Sequence, residues 1–84
     1  MKRYLVMALR KPAFDPAAIE PHSAFLDALR ARGQLQLAGP FGDSSGGAYL
    51  LLADSFEDAR AIARTDPVHA TDSSEVVVYE WNAK

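Results

Sequence analysis

The chain has 84 residues, no cysteine and a formal net charge of −2. A domain of this length buries somewhat more than ~60% of the surface its unfolded form exposes, so it gains stability from a partner subunit. The scattered basic residues leave no electrostatic footprint for nucleic acid; the missing cysteines exclude a disulfide framework and thiolate chemistry, and fit a cytoplasmic protein.

Met1-Lys2-Arg3, followed by the apolar run Tyr4 to Leu9, superficially resembles a secretory leader. The run is too short for one, Arg10, Lys11 and Pro12 follow at once, and there is no small-residue cleavage site. No stretch approaches the roughly 20 apolar residues a membrane span needs. The expectation is one soluble, intracellular domain over residues 1–84, with no membrane or nucleic-acid partner.

Tyr4 to Leu9 therefore reads as a strand covered on at least one face. Lys11 to Asp15 is a loop, and Asp15-Pro16 reads as an N-cap followed by proline at the first helical position. A helix to about Arg32 follows. Pro21 lacks an N–H, so the regular helix is expected to start near it, after a looser turn. Gly33 supplies the residue that ends the helix. Ile19, His22, Phe25, Leu26 and Leu29 share one face of this helix. His22 is the polar exception on it, and a buried ring needs a hydrogen-bond partner.

Gln34 to Ala38 alternates polar and apolar, the pattern of a half-buried strand, and Gly39-Pro40 is expected to break it. Gly42 to Gly47 is a turn. Ala48 to Ala53 is the most apolar run, hence a central strand, paired with the preceding one as an antiparallel hairpin. Asp54 or Ser55 caps a second helix that turns Phe56, Ala59, Ile62 and Ala63 inward and ends near Arg64. Asp66, before Pro67, is pushed away from helical geometry, and Pro67 to Asp72 suits a short helical turn. Glu75 to Trp81 is the last strand.

The order β-α-β-β-α-β is the ferredoxin-like arrangement: α+β, a four-stranded antiparallel sheet with two helices on one face. Apolar side chains alternate onto both faces of such a sheet, and two helices cover only one. Packing sheet against sheet in a homodimer would cover the other.

Asp66 is the candidate partner for His22. A carboxylate bonded to one imidazole nitrogen fixes the tautomer and stabilises the charged ring, leaving the other nitrogen to take or give a proton. The same pair also suits a purely structural brace of the first helix against the second. His69, three residues after Asp66, could complete a metal set with the pair, but the spacing matches no metal signature. Gly46-Gly47 is not a phosphate loop, because no Lys-Ser/Thr follows and the next element is a strand. Arg10 and Lys11 could attract an anionic substrate, against a default of solvated surface charge. Tyr4, Tyr49, Tyr79 and Trp81 read as sheet-face packing or dimer contacts.

Several segments together carry a family resemblance. Pro21-His22-Ser23-Ala24-Phe25-Leu26, Gly33, Leu37-Ala38-Gly39-Pro40, Ala63-Arg64-Thr65-Asp66-Pro67 and a closing strand that ends in an aromatic are, in this order and spacing, similar to the YciI-like (YCII-related) family. The resemblance implies a dimeric α+β barrel of ferredoxin-like subunits. It also implies an active site on His22 and Asp66, with no metal and no cofactor. A few relatives act on chlorinated or lactone-type intermediates of aromatic degradation. The insertion some members carry between the second and third strands is absent here, where Phe41 to Gly47 is short.

Two functional expectations result. One is a cofactor-independent isomerase, lyase or dehydrohalogenase acting on an unknown small molecule with His22 as acid/base and Asp66 as its orienting partner. The other is a non-catalytic dimeric domain that binds a small metabolite or serves another enzyme, with the pair structural. They differ at one atom: an enzyme needs a cavity reaching the free nitrogen of His22, whereas a brace has that nitrogen sealed by protein.

Overall fold

The computed structural model describes all residues from Met1 to Lys84. Strand β1 (Lys2–Arg10) leads through a 3-10 turn (Pro16–Ala18) into helix α1 (Ile19–Ala31). The hairpin β2 (Leu35–Pro40) and β3 (Gly46–Ala53) follows, then α2 (Phe56–Arg64), the single-turn α3 (Pro67–Ala70) and β4 (Ser74–Glu80). The sheet order is β2-β3-β1-β4 with every neighbouring pair antiparallel. This is the ferredoxin-like α+β arrangement. No helix is long and apolar enough to cross a membrane.

Local chemistry sets the boundaries. The Asp15 side chain accepts from the Ala17 N–H at 2.9 Å and starts the 3-10 turn. Pro21 then falls in the first turn of α1, where its missing N–H would have no partner in any case. At the other end Gly33 takes φ +73°. Its N–H donates to Arg30 O at 3.0 Å and the Gln34 N–H to Leu29 O at 2.9 Å, the paired bonds of a Schellman stop. Ser55, not Asp54, caps α2, accepting from the Asp58 N–H at 3.1 Å.

Tyr4, Val6, Leu35, Tyr49, Leu51 and Ala53 form the helix-facing side of the sheet's core, closed by Leu29 from α1 and by Ala59 and Ala63 from α2. Phe56 departs from the expected inward face of α2. It sits in the first turn at the edge, exposed, with its ring 6.3 Å from that of Tyr4.

Strand β2 departs from its expected pattern in two ways. It runs through Gly39 and Pro40, which pair with Ala48 and Gly47. Proline is tolerated because β2 is an edge strand. A bulge also falls between Leu35 and Leu37: Leu35 opposes Leu51, and Leu37 opposes the very next residue of β3, Leu50. One extra residue reverses the alternation. Leu35 is buried under α1, and Leu37 emerges on the opposite face, 68% exposed. That face also carries Leu5, Met7, Leu9, Leu52, Val77 and Tyr79, none of them fully buried.

Strand β3 begins where only glycine fits. A Cβ on Gly46 would lie 2.0 Å from the Ala8 carbonyl oxygen, and one on Gly47 would lie 2.7 Å from the Gly39 carbonyl oxygen. Gly46→Ala should therefore destabilise the fold by more than about 2 kcal/mol, read as a lowered urea midpoint with an unchanged slope.

Candidate functional site

His22 and Asp66 meet. The α1 helix presents the imidazole from its first turn, and Asp66 stands at the junction of α2 and α3. His22 Nδ1 lies 2.7 Å from Asp66 Oδ1. The aspartate is fully buried, whereas the histidine side chain keeps 25% of its exposure. Asp66 has extended backbone (φ −62°, ψ 129°), as residues before proline prefer. Its Oδ1 also accepts from the Val68 N–H at 3.0 Å, so it is the N-cap of α3.

A third donor reaches the carboxylate. The Tyr49 hydroxyl, on β3, donates to Asp66 Oδ2 at 3.3 Å. Burial, and then the adjacent Asp66 charge, push the Tyr49 hydroxyl well above the usual tyrosine range, so it stays a donor. The Tyr49 ring also lies 6.3 Å from the His22 ring and, edge-on, 6.3 Å from Phe25. This residue belongs with the pair, and sheet-face packing alone does not describe it. Its signal in the sequence is a polar tip inside the most apolar strand, since a buried tyrosine hydroxyl generally finds a partner.

The direction of the hydrogen bonds fixes the histidine. A carboxylate receiving donors from Val68 and Tyr49 accepts from imidazole as well, so Nδ1 carries the hydrogen. In the neutral ring Nε2 then holds the free lone pair. No protein group bonds Nε2, and His22 lines a cavity of about 490 Å³.

The cavity exists because side-chain size tapers along the sheet. At one end Tyr4, Leu35 and Leu51 fill the space beneath the helices. At the other, the helix-facing positions are Ala8, Ala38, Pro40 and Gly47, which line the cavity floor. Ile19 and Leu26 of α1 form the wall beside His22, with Phe14 and Val68 completing it. Ile19, half-exposed on the inward stripe of α1, is explained by this opening. His69 is exposed and does not join the pair, and no group of three ligand-type side chains is assembled anywhere in the chain.

Three comparisons bear on this arrangement. Residues 2–82 match the family model of the YCII-related domain. The chain is 42% identical over 84 residues to the uncharacterized protein YjpA of Bacillus subtilis (strain 168), covering 100% of this chain and 99% of that one. Among solved structures it is similar to 5-chloro-2-hydroxyhydroquinone dehydrochlorinase (TftG) from Burkholderia phenoliruptrix AC1100, in complex with 2,5-dihydroxybenzoquinone. That match has a TM-score of 0.74 and 18% identity, covers 98% of this chain and 95% of that one, and is a likeness of fold.

The Tyr49 environment predicts an alkaline sensitivity. In the unfolded chain its hydroxyl ionises near pH ~10, and in the folded chain it does not. Protons are thus lost on unfolding above that pH, and stability falls as pH rises. Tyr49→Phe should flatten this fall in melting temperature, measured between pH 8 and 11, while costing about 1 kcal/mol at neutral pH.

Proposed function

The chain belongs to the YCII-related domain family, and we propose that it is a small-molecule enzyme that works by acid–base catalysis without a cofactor. The observation that carries this reading is the division of labour on one imidazole. Nδ1 is held by buried Asp66, and unbonded Nε2 belongs to a ring that lines a cavity large enough for a small ligand.

His22 Nε2 takes a proton from a substrate carbon next to a carbonyl or next to a carbon bearing a leaving group. The resulting imidazolium is stabilised by Asp66 through Nδ1–H. Returning the proton to a different atom completes an isomerisation. In an elimination, the electron pair of the broken C–H bond forms the new double bond and the leaving group departs with its own pair. Dehydrochlorination, the reaction in TftG's name, is of this second kind. 5-Chloro-2-hydroxyhydroquinone is accordingly the first substrate to test.

Asp66 also caps α3 and receives Tyr49, so its replacement must spare those bonds. Asparagine can keep Oδ1 for Val68 and His22 while its amide donates to the Tyr49 oxygen, which removes the charge and reverses the direction of the Tyr49 hydrogen bond. His22→Asn and Asp66→Asn should each lower chloride release from 5-chloro-2-hydroxyhydroquinone by about a hundredfold or more, with melting temperature kept within a few degrees. Unchanged turnover in His22→Asn overturns the acid–base role. A large loss of stability with no turnover in the parent protein supports the bracing role instead.

The second part of the proposal is a cytoplasmic homodimer joined through the open sheet faces. Leu9, Leu37 and Tyr79 are exposed there beside half-buried Leu5, Met7 and Val77, a patch of the kind that marks an association surface. The protein should sediment at twice 9.1 kDa. Met7→Glu, at the centre of the patch, should return it to the monomer mass.

A further inference from the structure

One charged group that lines the cavity has no partner. Its lining holds Arg10, Arg30 and Asp27 as formally charged groups besides His22. Asp27 and Arg30 pair with each other at 3.6 Å, one turn apart on α1. Arg10 has no carboxylate within ion-pair distance, and its guanidinium makes no side-chain hydrogen bond. The lining itself therefore carries one unpaired cation, Arg10, and the nearest other uncompensated charge is the Asp66 carboxylate, which is buried behind His22 and engaged by its own donors.

Arg10 is also held in place. It ends β1 two residues after Ala8, on the helix-covered side of the sheet. Its guanidinium carbon stands 4.3 Å from the centroid of the Phe14 ring. That stacking limits the freedom of a long side chain and leaves its N–H edges unpaired. The same Phe14 ring lines the cavity with Ile19, Leu26 and Val68. A fixed planar cation at one side, an apolar wall, and His22 together describe a complementary ligand.

We propose that Arg10 is the anion-binding residue of this site, and that the ligand is a ring-sized planar organic oxyanion, a carboxylate or a phenolate. The proposal rests on the His22 cavity being the ligand site. A guanidinium fork meets a carboxylate with two parallel hydrogen bonds and a phenolate with one or two. The charge on the ligand also orients it. With its oxyanion on Arg10, the apolar body lies along Phe14 and the far part of the ring comes to His22. Proton abstraction puts positive charge on His22 and negative charge on the ligand, and Arg10 holds the growing anion.

Binding of benzoate and of its neutral isostere benzamide to the full-length protein, followed by amide and side-chain NMR shifts, tests this without any turnover. Benzoate should bind at least about tenfold more tightly than benzamide, with shifts at Arg10 and His22. A phenolate is probed separately, with 4-nitrophenol at pH values on either side of its ionisation. Arg10→Gln should remove the preference for the anion and leave benzamide unchanged. Arg60→Gln, altering an exposed cation of α2 that does not line the cavity, should keep it. Equal affinity for the two probes, no binding of either, or a preference that survives Arg10→Gln overturns the proposal. Failure of the acid–base reading appears in the turnover of His22→Asn, so the two can fail separately.

Discussion

A carboxylate withdrawn completely from water is stable only where donors replace the solvent. Asp66 meets that requirement from three directions, with His22 on α1, Tyr49 on β3 and the Val68 N–H of α3. Each donor belongs to a different element, so the aspartate is the point at which sheet, long helix and short helix are held to one another. The position of α1 against the sheet, and with it the cavity, depends on this junction. A four-residue α3 would be marginal alone. It persists because Asp66 caps it, Pro67 starts it and Val68 is buried with Ala8 of β1 and Ala18 of the 3-10 turn.

The coupling has a chemical side. The oxygen that accepts from Val68 is the one that accepts from His22. The imidazole is therefore oriented by a group whose own position is fixed by backbone and by a protonated tyrosine, and little of its geometry is left to side-chain freedom. Such rigidity of the supporting groups is what a proton-transfer site needs. The family membership and the likeness of fold put this chain on a scaffold that TftG shares, and a fold by itself does not set function.

Much of this was legible in the residues. Helix ends at Asp15-Pro16 and Gly33 follow from local backbone chemistry, which is a short-range property. The His22–Asp66 pair was legible because a polar ring in an apolar stripe demands a partner, and Asp-Pro offered a fixed one. The bulge in β2 was not, because the Leu35, Leu37 alternation looks regular until the partner strand is known. Register is a relation between strands, and the sequence of one strand does not contain it. Tyr49 was missed for a related reason: its ring satisfies the core and hides that its hydroxyl belongs to the site. Nor could the chain order reveal that Asp27 neutralises Arg30 while Arg10 stays unpaired.

The bulge at β2 gives two neighbouring leucines separate masters. Leu35 answers to the interior of its own subunit, and Leu37 to whatever lies across the open face. Were the bulge flattened with Gln36 kept in the ladder, Leu37 would turn inward and the rest of the strand would fall one residue out of step with β3. Downstream lie Ala38 and Pro40, which floor the cavity. A one-residue slip in this strand would thus redraw the cavity and the outer surface together. The register of this edge strand therefore ties the inner surface of the sheet to the outer one.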